Sequence, residues 1–170
     1  FLGIGTREPI TQLHVSGFAP TTSTGSIATS STPRSIYIQG RYAYVVNNES
    51  PSLNTLNIFD VSNPTVPVSV GSVATDNNPQ DIYVQGRYAY VVNLTSNTLQ
   101  IFDISNSASP VLVGRVSTQD APSSVYVQGQ YAYVTGSTTG ILNIFDISNS
   151  ITPVAVGSVS VGTLPSDVYV

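Results

Sequence analysis

The sequence predicts an all-β fold made of repeated four-stranded antiparallel units arranged about an axis. Two strings recur in step along the chain: Tyr-Ala-Tyr-Val strands that follow a Gln-Gly pair, and Leu-x-Ile-Phe-Asp strands that begin at Leu56, Leu99 and Leu142. These positions lie 43 residues apart, a period typical of the blades of a β-propeller. No ten-residue stretch has the apolar spacing of an amphipathic helix. We therefore expect a propeller-type repeat without helices.

Each unit contains four strand signals in a fixed order. In the second unit, Gly86 separates two runs of β-branched and aromatic residues, since glycine adopts the positive φ of a tight hairpin turn. A polar loop and a turn containing Pro110 set off the next two runs. The strands are apolar on both faces, which indicates that each small sheet packs between two neighbours. The pattern predicts strands at residues 81–85, 88–93, 99–104 and 111–116.

The boundaries of the repeat divide the chain into blades and an N-terminal segment that is not part of the repeat. Residues 1–24 do not fit the repeat and are interpreted as an N-terminal segment and linker. Closed propellers have about four to eight blades. We therefore expect a partial propeller, completed either by further blades of a longer chain or by self-association of chains. Three complete blades and the first strand of a fourth are predicted at residues 25–70, 71–113, 114–156 and 157–170.

Composition excludes several classes of function. The chain has a net charge of -4, a pI near 4.5 and 8% charged residues, and its five basic residues are all arginine. This charge has the wrong sign for holding phosphates, so we expect no nucleic-acid partner. The sequence contains no cysteine, which excludes thiol chemistry and cysteine-bound metals. No apolar run reaches membrane-spanning length, so we expect no membrane insertion.

The Tyr-Ala-Tyr-Val-Val strand and the Leu-x-Ile-Phe-Asp-Ile/Val-Ser strand, followed by a turn that contains proline, resemble the LVIVD repeat family. The resemblance covers about residues 25–170. It implies propeller blades of the kind found mainly in large secreted or surface-attached bacterial and archaeal proteins, generally without an assigned reaction. The corresponding expectation is an extracellular, cell-surface or virion-surface location.

The beginning of the chain carries a different resemblance. Gly3-Ile4-Gly5-Thr6, then Pro9, then Leu13-His14-Val15 and Gly17, is similar to a segment common in phage tail fibres and bacterial surface fibres. That resemblance implies a position upstream of a terminal module in a trimeric stalk. His14 is the single histidine of the chain, and no nucleophile motif accompanies it, so we expect no Ser-His-Asp triad.

Three aspartates recur at one position of each unit, directly after phenylalanine: Asp60, Asp103 and Asp146. An arc of carboxylates can bind a cation, which makes these residues weak calcium candidates. Each is followed by Val or Ile, Ser and Asn. An Asx-turn, in which the carboxylate accepts the N–H two residues on, is therefore the favoured interpretation. We predict no catalytic residue and no cofactor.

Other repeated positions predict packing rather than chemistry. Asp81 and Asp167 share a strand-start position with Ser35 and Ser124, and a position that exchanges Asp for Ser suits a hydrogen-bonding role. The ten tyrosines recur in each blade, which favours contacts between blades over an exposed binding surface. The arginines that follow the turn glycines are interpreted as solvated.

The loops between the second and third strands differ in length and sequence among the units. Variable loops on one edge of a repeat scaffold commonly carry binding specificity. A glycan or a surface receptor is the partner that such loops suggest. The candidate recognition residues are Asn47, Asn48, Glu49, Ser50, Asn93, Thr95, Asn97, Ser137, Thr138 and Thr139.

These observations favour a non-enzymatic extracellular structural or adhesive protein, a scaffold or fibre component of a cell or phage surface. The alternative is a receptor- or glycan-binding tip module of a fibre, which the N-terminal resemblance and the variable loops favour. A propeller lyase or glycosidase is a further alternative. It would need an acid–base group found in one blade only, whereas the acids considered above are mostly periodic.

Overall fold

A computed structural model describes residues 24–29, 32–49, 53–118, 121–162, 165 and 167–169. Within these ranges, twelve strands form three separate four-stranded antiparallel sheets, and consecutive strands are neighbours in each sheet. The predicted all-β blade architecture is confirmed, and the sheets form no closed barrel. No helix in this part of the chain is long and apolar enough to cross a membrane. The fibre-like segment predicted for residues 1–24 lies outside the described residues except for Thr24.

The strands match the predicted ones closely, but the blade boundaries differ. The sheets span residues 33–74, 79–117 and 122–160, so the predicted divisions at Gly71 and Gly114 fall inside outer strands. The strands are β1 (Pro33–Gln39), β2 (Tyr42–Asn47), β3 (Thr55–Asp60), β4 (Val68–Ala74), β5 (Pro79–Gln85), β6 (Tyr88–Asn93), β7 (Thr98–Asp103), β8 (Val111–Ser117), β9 (Pro122–Gln128), β10 (Tyr131–Gly136), β11 (Ile141–Asp146) and β12 (Val154–Ser160).

Each blade has two different edges. The first two strands meet in a tight hairpin whose glycine has a positive φ, at Gly40, Gly86 and Gly129. This hairpin and the turn between the third and fourth strands lie at one edge, which we call the hairpin edge. The loop between the second and third strands, and the segment that leads to the next blade, lie at the opposite edge, which we call the link edge.

The hydrophobic core lies between the blades. Val46 and Ile58 of the first blade pack with Ile82 and Val84 of the second in one buried cluster. A second cluster joins the second and third blades in the same way. Packing on both faces explains why the strands are apolar on both faces, and it confirms that prediction.

The first strands of the blades, β1, β5 and β9, lie side by side as the inner strands of the stack. Their tyrosines form a continuous row. The ring centroids of Tyr37 and Tyr83 lie 4.9 Å apart, those of Tyr83 and Tyr126 lie 4.9 Å apart, and those of Tyr126 and Tyr169 lie 5.2 Å apart. Tilted and edge-on contacts of this kind are typical of favourable aromatic pairs. The repeated inner tyrosine is therefore a contact between blades.

A belt of alternating serine and aspartate crosses the same inner strands. Ser35 Oγ donates to Asp81 Oδ1 at 2.7 Å. Ser124 Oγ lies 2.9 Å from Asp81 Oδ2 and 3.0 Å from Asp167 Oδ1. The Val125 N–H also donates to Asp81 Oδ2, at 3.0 Å. The Asp81 carboxylate thus connects three blades through hydrogen bonds.

The outer strands approach the next blade closely at glycines. A Cβ added to Gly71 would lie 2.2 Å from the Ser107 carbonyl oxygen, and one added to Gly114 would lie 1.9 Å from the Ser150 carbonyl oxygen. A Cβ at Gly157, the equivalent position of the third blade, would meet none of the described residues within 4 Å. Glycine at the middle of each outer strand therefore allows the following blade to pack closely.

The first blade has an apolar face that no described blade covers. Ala43, Val45 and Phe59 form a cluster there with the half-buried Ile27 and Val61, beside a cavity of about 260 Å³. The equivalent face of the second blade is packed by the first blade. Completion by further blades or by self-association stays a prediction.

Candidate functional site

The second blade departs from the repeat at positions that meet in space. Gln100 stands where the other blades have Asn57 and Asn143, and Arg115 stands where they have serine. Asp76, in the link from the first blade, has Gln119 at the equivalent position of the next link. Gln100 and Arg115 are direct register partners on β7 and β8. The structure places Asp76 against both of them.

Four hydrogen bonds and an ion pair hold this group, which we call the Asp76 cluster. Thr98 Oγ1 donates to Asp76 Oδ2 at 2.7 Å, and the Asp76 N–H donates to Gln100 Oε1 at 2.9 Å. Asn93 Nδ2 donates to the same Gln100 oxygen at 3.1 Å and lies 3.2 Å from Thr98 Oγ1. Arg115 Nε lies 2.8 Å from Asp76 Oδ2. Asp76 is therefore held by two side chains at its carboxylate and by Gln100 at its backbone N–H.

The cluster is anchored at its base and open at its outer side. Asn93 is fully buried and Gln100 is 2% exposed. The side chains of Asp76 and Arg115 are 20% and 54% exposed. Both side-chain contacts to the carboxylate fall on Oδ2, and among the described residues none is a donor to Oδ1. An oriented carboxylate oxygen thus lies beside a guanidinium group at the surface of the link edge.

The carboxylate of Asp76 and the guanidinium of Arg115 together can do chemistry that neither group provides alone. A fixed carboxylate can take a proton from water, and an adjacent guanidinium can stabilise the negative charge that develops on an attacked carbonyl oxygen. Asp76, Gln100 and Arg115 are not among the candidate residues predicted from the sequence. The signal available in the sequence was their departure from the repeat, because Asp76 is an acid outside the periodic positions.

The three periodic aspartates lie at the hairpin edge and act as turn caps. Asp60, Asp103 and Asp146 each accept the N–H of the serine two residues on, at 2.9 Å. Asp60 and Asp103 also pair with Arg41 and Arg87, so the arginines interpreted as solvated are ion-paired. Within the described ranges, no group of three or more acidic or histidine side chains gathers as a metal site.

We expect the Arg87–Asp103 pair to make stability depend on pH in acid. The hydrogen bond from Arg87, aided by the Ser105 N–H, lowers the pKa of Asp103 from 3.8 to about 2. Because the pKa is depressed in the folded protein, its stabilising effect is present above pH 4 and is lost as the pH falls towards 2. The melting temperature of Asp103→Asn should therefore fall less between pH 4 and pH 2 than that of the wild type.

Calorimetry at pH 4, 3 and 2 measures this difference. The control is Asp146→Asn, since among described residues the partner of Asp146 is Ser148 rather than an arginine. Because Arg87 is 58% exposed, solvent screening keeps the effect small. Identical acid profiles for the wild type and Asp103→Asn would contradict the pairing.

The candidate recognition residues lie at the link edge, but they do not share one environment. Asn47 and Asn93 are fully buried, and each Nδ2 donates to the carbonyl two residues earlier. Neither side chain therefore forms an exposed recognition surface. Ser50 lies outside the described residues. Asn48 donates to Asn78 Oδ1 of the link at 2.6 Å. The remaining candidates are half-buried or exposed in the loops: Glu49, Thr95, Asn97, Ser137, Thr138 and Thr139.

These blades define a β-propeller-type repeat protein. The LVIVD repeat matches residues 32–75, 78–118 and 121–161. The chain therefore belongs to the LVIVD repeat family. A comparison with curated proteins finds no match.

Several solved structures have the same fold at low sequence identity. A candidate 6-phosphogluconolactonase from Bacteroides fragilis is 21% identical, with a TM-score of 0.69 over 79% of this chain and 40% of its own. The periplasmic gluconolactonase PpgL from Pseudomonas aeruginosa is 19% identical, with a TM-score of 0.66 over 78% of this chain and 40% of its own. A functionally unknown protein from Desulfotomaculum acetoxidans is 18% identical, with a TM-score of 0.62 over 79% of this chain and 58% of its own.

The chain thus spans about 40% of the length of the two lactonases. The expectation of a non-enzymatic structural or adhesive protein is wrong, because it took a stack of repeat blades to be a scaffold, whereas these neighbours with the same fold are named as lactonases. The same finding tells against the fibre-tip alternative and against a lyase or glycosidase. The extracellular location stays a prediction.

Proposed function

We propose that this chain contributes blades to a β-propeller enzyme that hydrolyses lactones, with Asp76 and Arg115 at the reacting group. The observation that carries the proposal is the meeting of three departures from the repeat, Asp76, Gln100 and Arg115, at one place on the link edge. Repeated residues build the blade, whereas a group found once can serve a function that the repeat does not. The lactonase names of two structural neighbours support the choice of reaction.

Ring opening uses a base and an electrophilic group in turn. Asp76 takes a proton from a water molecule as its oxygen attacks the lactone carbonyl carbon, and the carbonyl oxygen becomes an oxyanion beside Arg115. The bond between the carbonyl carbon and the ring oxygen then breaks. The ring oxygen receives the proton held by Asp76, which yields the open hydroxy acid and restores the carboxylate.

The remaining members of the cluster orient the base. Thr98 Oγ1 donates to the Asp76 carboxylate, and the bond from the Asp76 N–H to Gln100 holds the backbone of Asp76. Gln100 is itself fixed by the buried Asn93. A base held in one geometry contributes to the rate because no reorientation is needed as the proton moves. Thr98 and Gln100 are therefore positioning residues, and Asp76 and Arg115 are the proposed catalytic residues.

The test is lactone hydrolysis by the purified protein and by Asp76→Asn. An amide keeps the shape of the side chain but cannot take the proton, so kcat/KM should fall by about 100-fold or more. Arg115→Gln should also lower kcat, by about 100-fold. Release of acid from a panel of five- and six-membered aldonolactones, corrected for spontaneous ring opening, measures the rate.

Asp103→Asn is the matched control, since it removes a carboxylate of the same blade at the opposite edge. It should keep the wild-type rate. Circular dichroism checks that all three variants are folded. A wild-type protein with no turnover above the spontaneous rate, or an equal loss in Asp103→Asn, would overturn the proposal.

A further inference from the structure

A second cavity lies at the hairpin edge, between the first and second blades and away from the Asp76 cluster. Its volume is about 390 Å³, which is within the range of sites for small molecules. The turns of the two blades form its rim, and Tyr42, Tyr44 and Ile104 form its apolar lining. Ser105 and Ser107 add hydroxyl groups. Such a lining suits a small ligand with both hydroxyl groups and C–H faces.

Two of the five basic residues of the chain line this one cavity. Arg41 and Arg87 both belong to the lining, whereas their partners Asp60 and Asp103 do not. The lining that the described residues provide therefore contains two cations and no acid. A ligand with a carboxylate would meet positive charge on both sides.

The two guanidinium groups are held in place before any ligand binds. Arg41 bonds Asp60 through Nε at 3.0 Å and lies 5.4 Å from the centre of the Tyr42 ring. Arg87 pairs with Asp103 and lies 5.4 Å from the centre of the Tyr88 ring. Their side chains are still 59% and 58% exposed. A planar guanidinium with five donors can bind a further anion while it keeps its aspartate.

This pair of arginines occurs at one junction of the described blades. At the junction of the second and third blades, Gln130 stands where an arginine would complete the pair. The third blade is folded with glutamine at this position, and its hairpin turn has the same glycine geometry. The arginine is therefore not required for the turn.

We propose that this cavity binds a small polyhydroxy carboxylate, with Arg41 and Arg87 on the carboxylate and the tyrosines and serines on the carbon chain and its hydroxyl groups. The inference stands on this cavity alone and does not depend on the proposed lactone hydrolysis. The two sites lie at opposite edges of the blades, so the failure of one leaves the other intact.

Calorimetric titration of the purified protein with sodium gluconate tests the proposal. Sorbitol is the uncharged match, because it keeps the hydroxyl groups and lacks the carboxylate. We expect saturable binding of gluconate and none of sorbitol. Arg41→Gln and Arg87→Gln should each weaken the binding by about 10-fold, which corresponds to about 1.4 kcal/mol.

Arg34→Gln is the control, since it removes an exposed arginine of β1 that does not line the cavity. It should bind gluconate as the wild type does. No saturable gluconate binding, equal binding of sorbitol, or an equal loss in Arg34→Gln would overturn the proposal.

Discussion

Gly114→Ala is expected to lower the free energy of unfolding by about 1–3 kcal/mol, the usual cost of added volume in a packed interior. The new methyl group would lie 1.9 Å from the Ser150 carbonyl oxygen and 3.4 Å from the Pro153 ring. The first of these contacts is with backbone, which cannot rotate away as a side chain can. Relief therefore requires the second and third blades to separate along their shared core.

Gly157→Ala is the matched control, because at the same position of the third blade no atom of the part of the chain that the structure describes lies within 4 Å of the added carbon. Its stability should stay within about 0.5 kcal/mol of the wild type. Urea unfolding followed by circular dichroism measures both variants. Equal losses in the two variants would mean that a further blade covers Gly157 in the purified protein. No loss in Gly114→Ala would contradict the close approach of the blades.

Asp81→Ala is expected to cost about 2–4 kcal/mol, since each hydrogen bond to a charged group contributes about 1.5–3 kcal/mol and part of that is recovered by water. Its carboxylate accepts bonds from Ser35 on one side and from Ser124 and the Val125 N–H on the other. Removing it leaves the Ser35 hydroxyl and the Val125 N–H, on two neighbouring blades, without this acceptor. Val125 is 3% exposed, so water replaces its lost bond poorly.

Asp146→Ala is the comparison, because the bond shown for its carboxylate stays within its own turn, to the Ser148 N–H. It should cost about 1 kcal/mol, as the loss of a capping side chain does. The urea midpoint and the slope of the transition separate the two effects. Equal costs for the two variants would mean that the Ser–Asp belt adds nothing to the contact between blades.

The strands could be predicted because the same strand and turn pattern occurs three times in the sequence. The turn glycines and the apolar runs, such as the one that begins at Tyr88, fix a hairpin from local chemistry alone. The division into blades could not be placed in the same way. Gly71 and Gly114 resemble boundary residues in the sequence, yet they lie in mid-strand, because the neighbouring blade needs the space that a side chain would fill.

The candidate sites could be predicted less well, since they depend on contacts between distant segments. Asp76 and Arg115 are 39 residues apart, and no local pattern joins them. The pairing of Arg41 with Asp60 depends on the register of β2 and β3, which places Tyr42 opposite Asp60. The burial of Asn47 could not be predicted either. Asparagine is typical of surface loops, but the Asn47 side chain is fully buried and donates to the backbone of its own strand.

The belt that runs Ser35, Asp81, Ser124 and Asp167 imposes a rule of parity. Each hydroxyl lies next to carboxylates and each carboxylate lies next to hydroxyls. Blades that carry serine at this position must therefore alternate around the axis with blades that carry aspartate. A closed ring in which serine blades and aspartate blades alternate throughout is possible only when the number of blades is even. Gain or loss of a single unit would put either two carboxylates or two hydroxyls side by side, whereas units added in Ser–Asp pairs preserve every contact.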